Sequence, residues 1–138
     1  MRVANASRAL RRAAILLACA SAFAACSSEP ARKTIEVKMR YSKYLPGTIA
    51  VKAGTTIDFV VVNDDPIAHE FIIGTEADQK AHEKGKPGDP HTGPGEASIP
   101  ANETVHLSYT FARAGTMLYA CHVPGHYTYG MRGTVQVT

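Results

Sequence analysis

Thr104-Val105-His106-Leu107-Ser108-Tyr109-Thr110-Phe111 alternates polar and apolar side chains without a break. Successive side chains of a β-strand point to opposite faces, so this period of two reads as a half-buried strand: Val105, Leu107, Tyr109 and Phe111 face a core, and Thr104, His106, Ser108 and Thr110 face water. The same rhythm occurs upstream, where Ile35, Val37 and Met39 alternate with Glu36, Lys38 and Arg40. Further short apolar or β-branched runs lie at 49–51, 56–62, 67–73, 116–121 and 133–138, several of them bounded by Gly or Pro. About seven short strands with such turns and no alternating helices predict an all-β domain, an antiparallel sandwich or barrel. Only residues 76–84 have the makings of a helical turn or two. The interval 74–96 breaks the strand rhythm and, with its Gly/Pro-rich second half, reads as a long loop, a feature of compact domains that usually carries function or is disordered.

The first 25 residues have a different character. They hold four arginines, no acidic residue and an alanine-rich apolar run from 13 to 25, the pattern of an export leader and too short for a spanning helix. The expected organisation is therefore a signal peptide at 1–25, a polar tether at 26–33 and one domain at 34–138. Of the 138 residues, 113 follow the leader, which is one core's worth and excludes a multidomain enzyme. Over the whole sequence, 15 Lys and Arg against 12 Asp and Glu give +3; without the leader's arginines the balance is −1, so no nucleic-acid partner is expected.

Phe23-Ala24-Ala25-Cys26 resembles a bacterial lipobox, which makes Cys26 the candidate lipidation site and any membrane association a matter of that anchor. Leu16-Leu17-Ala18-Cys19 matches in letters but leaves an apolar region of only about six residues. Plain secretion is the alternative to acylation. Either route leads to an oxidising compartment, where a lone thiol in the folded part is unusual unless something holds it. Cys121 is that thiol.

Cys121, His126 and Met131 recur at Cys-x4-His-x4-Met between one strand end and the next strand. Two histidines and a cysteine in a trigonal arrangement with a weak axial methionine are the donor set of a blue-copper site. The missing histidine is best supplied by His69, whose strand parity is shared with Ile67, Phe71 and Ile73 and which therefore points to the core face. A structural zinc site prefers four strong ligands and has no use for a methionine. A binuclear copper site needs two cysteines in its loop. The plain alternative is a buried thiol, a surface histidine and a core methionine with no metal.

Asn63-Asp64-Asp65-Pro66-Ile67-Ala68-His69-Glu70-Phe71, with Tyr119-Ala120-Cys121-His122-Val123-Pro124-Gly125-His126 and Gly130-Met131, resembles the cupredoxin family of plastocyanin and azurin. Val51-Lys52-Ala53-Gly54-Thr55-Thr56 is similar to that family's strand and turn before the first ligand, so the resemblance spans roughly residues 34–138. It implies a Greek-key β-sandwich of seven or eight strands and one type 1 copper per chain, held by His69, Cys121, His126 and Met131. The implied function is one-electron transfer in the periplasm or at the cell envelope, not catalysis. The implied partner is a redox protein of cytochrome or oxidase type, met transiently by a monomer through an apolar patch of Val123, Pro124 and Tyr127 around His126. The alternative is a copper-binding, delivery or resistance module, with His82 and His91 of the 74–96 insertion as extra capture ligands. His122, of opposite parity to Cys121, is expected to face solvent or to hydrogen-bond; His106 is expected to be solvated.

Overall fold

The computed structural model of the chain describes residues 31–85 and 93–138. The leader, Cys26 and His91 lie outside them, and so does most of the tether. Among the described residues the strands are β1 (Arg32–Arg40), β2 (Lys43–Leu45), β3 (Thr48–Val51), β4 (Thr55–Asn63), β5 (His69–Gly74), β6 (Glu96–Ile99), β7 (Thr104–Phe111), β8 (Gly115–Ala120) and β9 (Arg132–Val137). One helix, α1 (Glu76–His82), stands between β5 and β6.

The strands form two stacked sheets, β2-β1-β4-β7 and β3-β9-β8-β5-β6. The pairing is mixed rather than antiparallel throughout, because β1 runs parallel to β4 and β3 parallel to β9. The reason lies in the connections. The chain leaves β1 through β2, crosses to the opposite sheet as β3, and returns as β4, which brings β4 beside β1 in the same direction. Nine strands replace the expected seven or eight. The additional ones, β2 and β6, have three and four residues, too few for a period-two pattern to declare itself.

The alternating strand at 104–111 forms as its pattern predicts, with its polar members exposed and the apolar ones turned inward. Val37 and Met39 of β1, Ile57, Phe59 and Val61 of β4, and Phe71, Tyr119 and Val135 from the other sheet fill the space between the layers. Aromatic rings run through the middle: Phe71 lies 5.3 Å from both Phe59 and Tyr119, and Tyr44 closes on Phe71 at 5.8 Å. The hydroxyls of this cluster are satisfied by main-chain carbonyls, Tyr44 donating to Glu70 and Tyr119 to Pro46, each at 2.5 Å. A buried hydroxyl without such a partner would cost free energy rather than supply it.

The 74–96 interval is not all loop. Thr75 caps α1 through a reciprocal capping box with Asp78, Glu76 and Asp78 sit in the first turn, and Lys80 and His82 in the last, the arrangement that favours a helix dipole. Gln79 turns from α1 into the protein and is fully buried, donating to the carbonyl of Ile72 at 2.9 Å. With α1 lying over its outer side, β5 is buried on both faces from Phe71 to Gly74. The parity argument fails at Ile67, which is 48% exposed. It precedes β5, in a turn where the Asn63 amide donates to the Ile67 carbonyl at 2.8 Å, so strand alternation does not reach it.

Gly133 pairs directly with Tyr119 across β8 and β9, and a Cβ there would overlap the Tyr119 ring. Glycine in this strand is required by the ring that covers it. Gly133→Ala is therefore expected to cost about 1–3 kcal/mol through overpacking, read as a lower denaturant midpoint at unchanged m-value.

Candidate metal centre

Two segments meet at one end of the sandwich. His69 opens β5, directly after the turn at 64–68, and Cys121 follows the last residue of β8. The antiparallel register of these strands pairs Ile72 with Ala120 and Ile73 with Tyr119, which carries His69 and Cys121 to the same end. The chain then folds back through residues 122–130. His126 N–H donates to the Val123 carbonyl, and Tyr129 N–H to the Gly125 carbonyl, each at 2.9 Å. Gly125 and Gly130 take φ of 88° and 87°, values that side-chain-bearing residues avoid, and so permit the two tight reversals. The loop closes on itself where Met131 N–H meets the His126 carbonyl at 2.9 Å and Cys121 N–H meets the Met131 carbonyl at 3.2 Å.

The result is a convergence of donors. Nδ1 of His69 and Nδ1 of His126 are 3.2 Å apart, and the Cys121 sulfur lies 3.9 Å from the first and 3.4 Å from the second. Three donors at about 2.0–2.3 Å from one first-row metal ion, with angles of about 100–120° between them, would lie roughly 3.1–4.0 Å from one another, and the observed 3.2–3.9 Å falls in that range. His69 is 1% exposed, Cys121 fully buried and Met131 1% exposed, whereas His126 is half-buried and faces the way out. Among the described residues this is the one cluster of three or more such side chains placed to hold a metal.

The donor chemistry points the same way. Burial pushes the Cys121 thiol up to about 11, although the amides of Glu70 and Val123 pull against that shift; the Glu70 N–H reaches the sulfur at 3.4 Å. Burial, and then the neighbouring His69 ring, push His126 below the ordinary imidazole range, which keeps it neutral and able to donate a lone pair. Two imidazoles and a sulfur with its own main-chain donor are ligands suited to a soft or intermediate cation.

Several surrounding residues were not legible in the sequence. Asp65 accepts from His69 Nε2 at 2.9 Å and is itself bound by the amides of Tyr41 and Ser42 at 2.7 and 2.8 Å. Desolvation works against the ionised carboxyl, but those amides and His69 outweigh it and hold Asp65 below the usual carboxylate range. An acidic residue four before a candidate ligand in an Asn-Asp-Asp-Pro turn was the available signal.

His122 adopts the hydrogen-bonding role. Its side chain is 4% exposed, with Nε2 2.7 Å from the Gln79 amide oxygen, Nδ1 3.4 Å from Glu83, and Tyr127 stacked at 5.0 Å. Burial holds its pKa below the ordinary value. His82 is on α1 rather than in a loop, 3.2 Å from Glu96 and stacked 5.6 Å from His122, and it does not join the three-donor cluster. His106 is exposed on β7. Of the patch expected around His126, Pro124 is exposed, Val123 packs against the core and Tyr127 is engaged with His122; the strongly exposed apolar groups on the ligand-bearing segments are Ile67 and Tyr129.

Comparison with known proteins agrees with this geometry. Residues 13–137 match the family model described as a cupredoxin-like domain. A copper-resistant cuproprotein CopI of Rubrivivax gelatinosus is 37% identical over 111 residues, which cover 78% of this chain and 67% of that one. The CopI of Pseudomonas aeruginosa is 27% identical over 139 residues, covering 78% and 77%. Among solved structures, auracyanin A, a "blue" copper protein from the photosynthetic bacterium Chloroflexus aurantiacus, superposes with a TM-score of 0.63 at 28% identity, covering 78% of this chain and 99% of its own.

A thiol raised from 9.0 to about 11 has its thiolate fraction reduced about a hundredfold. Iodoacetamide at neutral pH is accordingly expected to alkylate Cys121 in the folded, metal-free domain at least about a hundred times more slowly than in denaturant, as followed by mass spectrometry.

Proposed function

The chain belongs to the cupredoxin-like family, and on that premise we propose that it is an exported type 1 copper protein that carries single electrons at the cell envelope, with His69, Cys121, His126 and Met131 as ligands. The observation that carries this reading is the convergence of two imidazole nitrogens and one thiol sulfur, 3.2–3.9 Å apart, from segments fixed by separate strands. Copper, when bound, supplies a one-electron couple. The chain supplies the frame: β5 and β8 fix His69 and Cys121, and the hydrogen-bonded loop fixes His126 and Met131, so little has to move when the charge changes. Met131, buried and joined through its main chain to Cys121 and His126, would hold the ion as a weaker fourth donor and tune its potential.

His126 is the ligand nearest solvent, and Pro124, Tyr129 and Ile67 are exposed on the two ligand-bearing segments. We assign this end to transient docking of a redox protein, with the electron passing through the His126 edge. In this reading the chain transfers electrons and catalyses no reaction. Among the described residues no helix is long and apolar enough to cross a membrane; attachment, if the leader is processed at Cys26, is through a lipid.

A second reading, sequestration or delivery of copper, is favoured by one observation: the CopI relatives are named for copper resistance. The two readings differ in stoichiometry and exchange. An electron carrier holds one copper tightly through both oxidation states. A delivery protein takes up more than one ion or surrenders it readily to an acceptor.

The Cu(II)-loaded domain is expected to be intensely coloured through sulfur-to-copper charge transfer, with one copper per chain, and Cys121→Ser to lose the colour. Met131→Leu is expected to keep it while raising the reduction potential, because a donor that favours Cu(II) has been removed. Optical and EPR spectra with redox titration check all three; a colourless Cu(II) protein would refute the ligand set. Copper that passes to a chelator within minutes would favour delivery.

A further inference from the structure

The His69 ring uses both of its nitrogens. Nδ1 faces His126 and Cys121, and Nε2 lies 2.9 Å from Oδ2 of Asp65. A carboxylate only accepts, so the proton of a neutral imidazole resides on Nε2 and the lone pair is on Nδ1, aimed into the donor cluster. Neither group can easily turn away, since His69 is 1% and Asp65 6% exposed.

Asp65 is held from several directions. Its Oδ1 accepts from Tyr41 N–H at 2.7 Å and its Oδ2 from Ser42 N–H at 2.8 Å. These amides belong to consecutive residues in the left-handed region, φ 55° and 53°, between β1 and β2. Successive main-chain N–H groups in a turn form a concave anion seat, and here the anion seated is a side chain of the protein itself. The main chain of Asp65 is tied as well: its N–H donates to the Asn63 side chain at 3.0 Å and its carbonyl accepts from Asn102 N–H at 3.2 Å. The β1–β2 turn thus reaches the candidate centre through a single carboxylate.

We infer that Asp65 is a positioning and tuning residue of the centre, locking His69 in the tautomer that presents Nδ1 and placing a full negative charge behind that ligand. This rests on the copper reading above only for its second half. A main-chain carbonyl in the same place would orient the ring but contribute no net charge. The carboxylate strengthens His69 as a donor and stabilises the more positive oxidised ion, so both effects lower the reduction potential.

The test compares the native domain with Asp65→Asn and Asp65→Ala, and with Ile57→Ala as a variant destabilised in β4 away from Asp65. In metal-free protein, nitrogen-15 NMR is expected to show the His69 proton on Nε2, and Asp65→Ala to give a mixture of tautomers. In copper-loaded protein, Asp65→Asn is expected to raise the potential by about 59 mV, a tenfold shift of the one-electron equilibrium towards Cu(I), while Ile57→Ala leaves it in place. Asp65→Ala is also expected to weaken Cu(II) binding about 10–100-fold. A native metal-free ring with its proton on Nδ1 would overturn the inference. So would a potential unmoved in Asp65→Asn despite lowered thermal stability, which would reduce Asp65 to an anchor for the 41–42 turn. Native protein that takes up no copper would refute the proposed function, and the NMR result would still decide the tautomer lock.

Discussion

The antiparallel register of β5 on β8 is the constraint from which the rest of the site follows. Pairing of Ile72 with Ala120 and Ile73 with Tyr119 brings the start of one strand and the end of the other to the same edge. A slip of β5 by one residue would turn Phe71 and Ile73 from between the sheets to the face under α1 and take His69 with them, so packing enforces the register. The same register sets the Glu70 amide 3.4 Å from the Cys121 sulfur and the Glu70 carboxylate 3.0 Å from the His122 N–H. Core packing and the approach of the donors are therefore one event in folding.

That arrangement has a cost that a metal relieves. Two imidazole nitrogens and a sulfur, brought within 4 Å of one another in a largely buried place, give up hydration for contacts mostly among themselves. The surrounding residues distribute the remaining polar demands. Asp65 and the 41–42 amides serve His69, the Glu70 amide serves Cys121, and His126 is left half-exposed. On the other side of Cys121, His122 is clamped among Gln79, Glu83 and Tyr127, which joins α1 to the ligand loop. Helix α1 thereby acts as a brace for β5 and for the residue following the thiol.

Much of this was legible in the residues. Alternation at 104–111 and at 35–40 is a local property, because one exposed and one buried face impose it directly, and both strands form. The Cys-x4-His-x4-Met spacing was legible for a similar reason: a short loop brings such residues together whatever the rest of the fold does. The pairing of His69 with that loop came from strand parity at His69, Phe71 and Ile73. Ile67, included on the same argument, instead lies in the preceding turn and is exposed.

What escaped is non-local. Strands β2 and β6 owe their existence to partners, β1 and β5, rather than to a pattern of their own. Asp65 gains its role from amides 23 and 24 residues earlier in the chain, and Gln79 is buried because α1 folds across β5. The parallel pairs arise from the order in which the chain crosses between sheets. Apart from the Asn-Asp-Asp-Pro turn that holds Asp65 four residues before His69, none of these has a signature in a window of ten residues.

The chain builds its donor triangle before any metal arrives. Crystal structures of the domain metal-free and loaded with copper in both oxidation states test it most directly. Nδ1 of His69, Nδ1 of His126 and Sγ of Cys121 are expected to keep their mutual separations to within about 0.5 Å in all three, with Nδ1 of each ring towards the ion. A metal-free structure in which either ring has swung away, or a loaded one bound through Nε2, would contradict it.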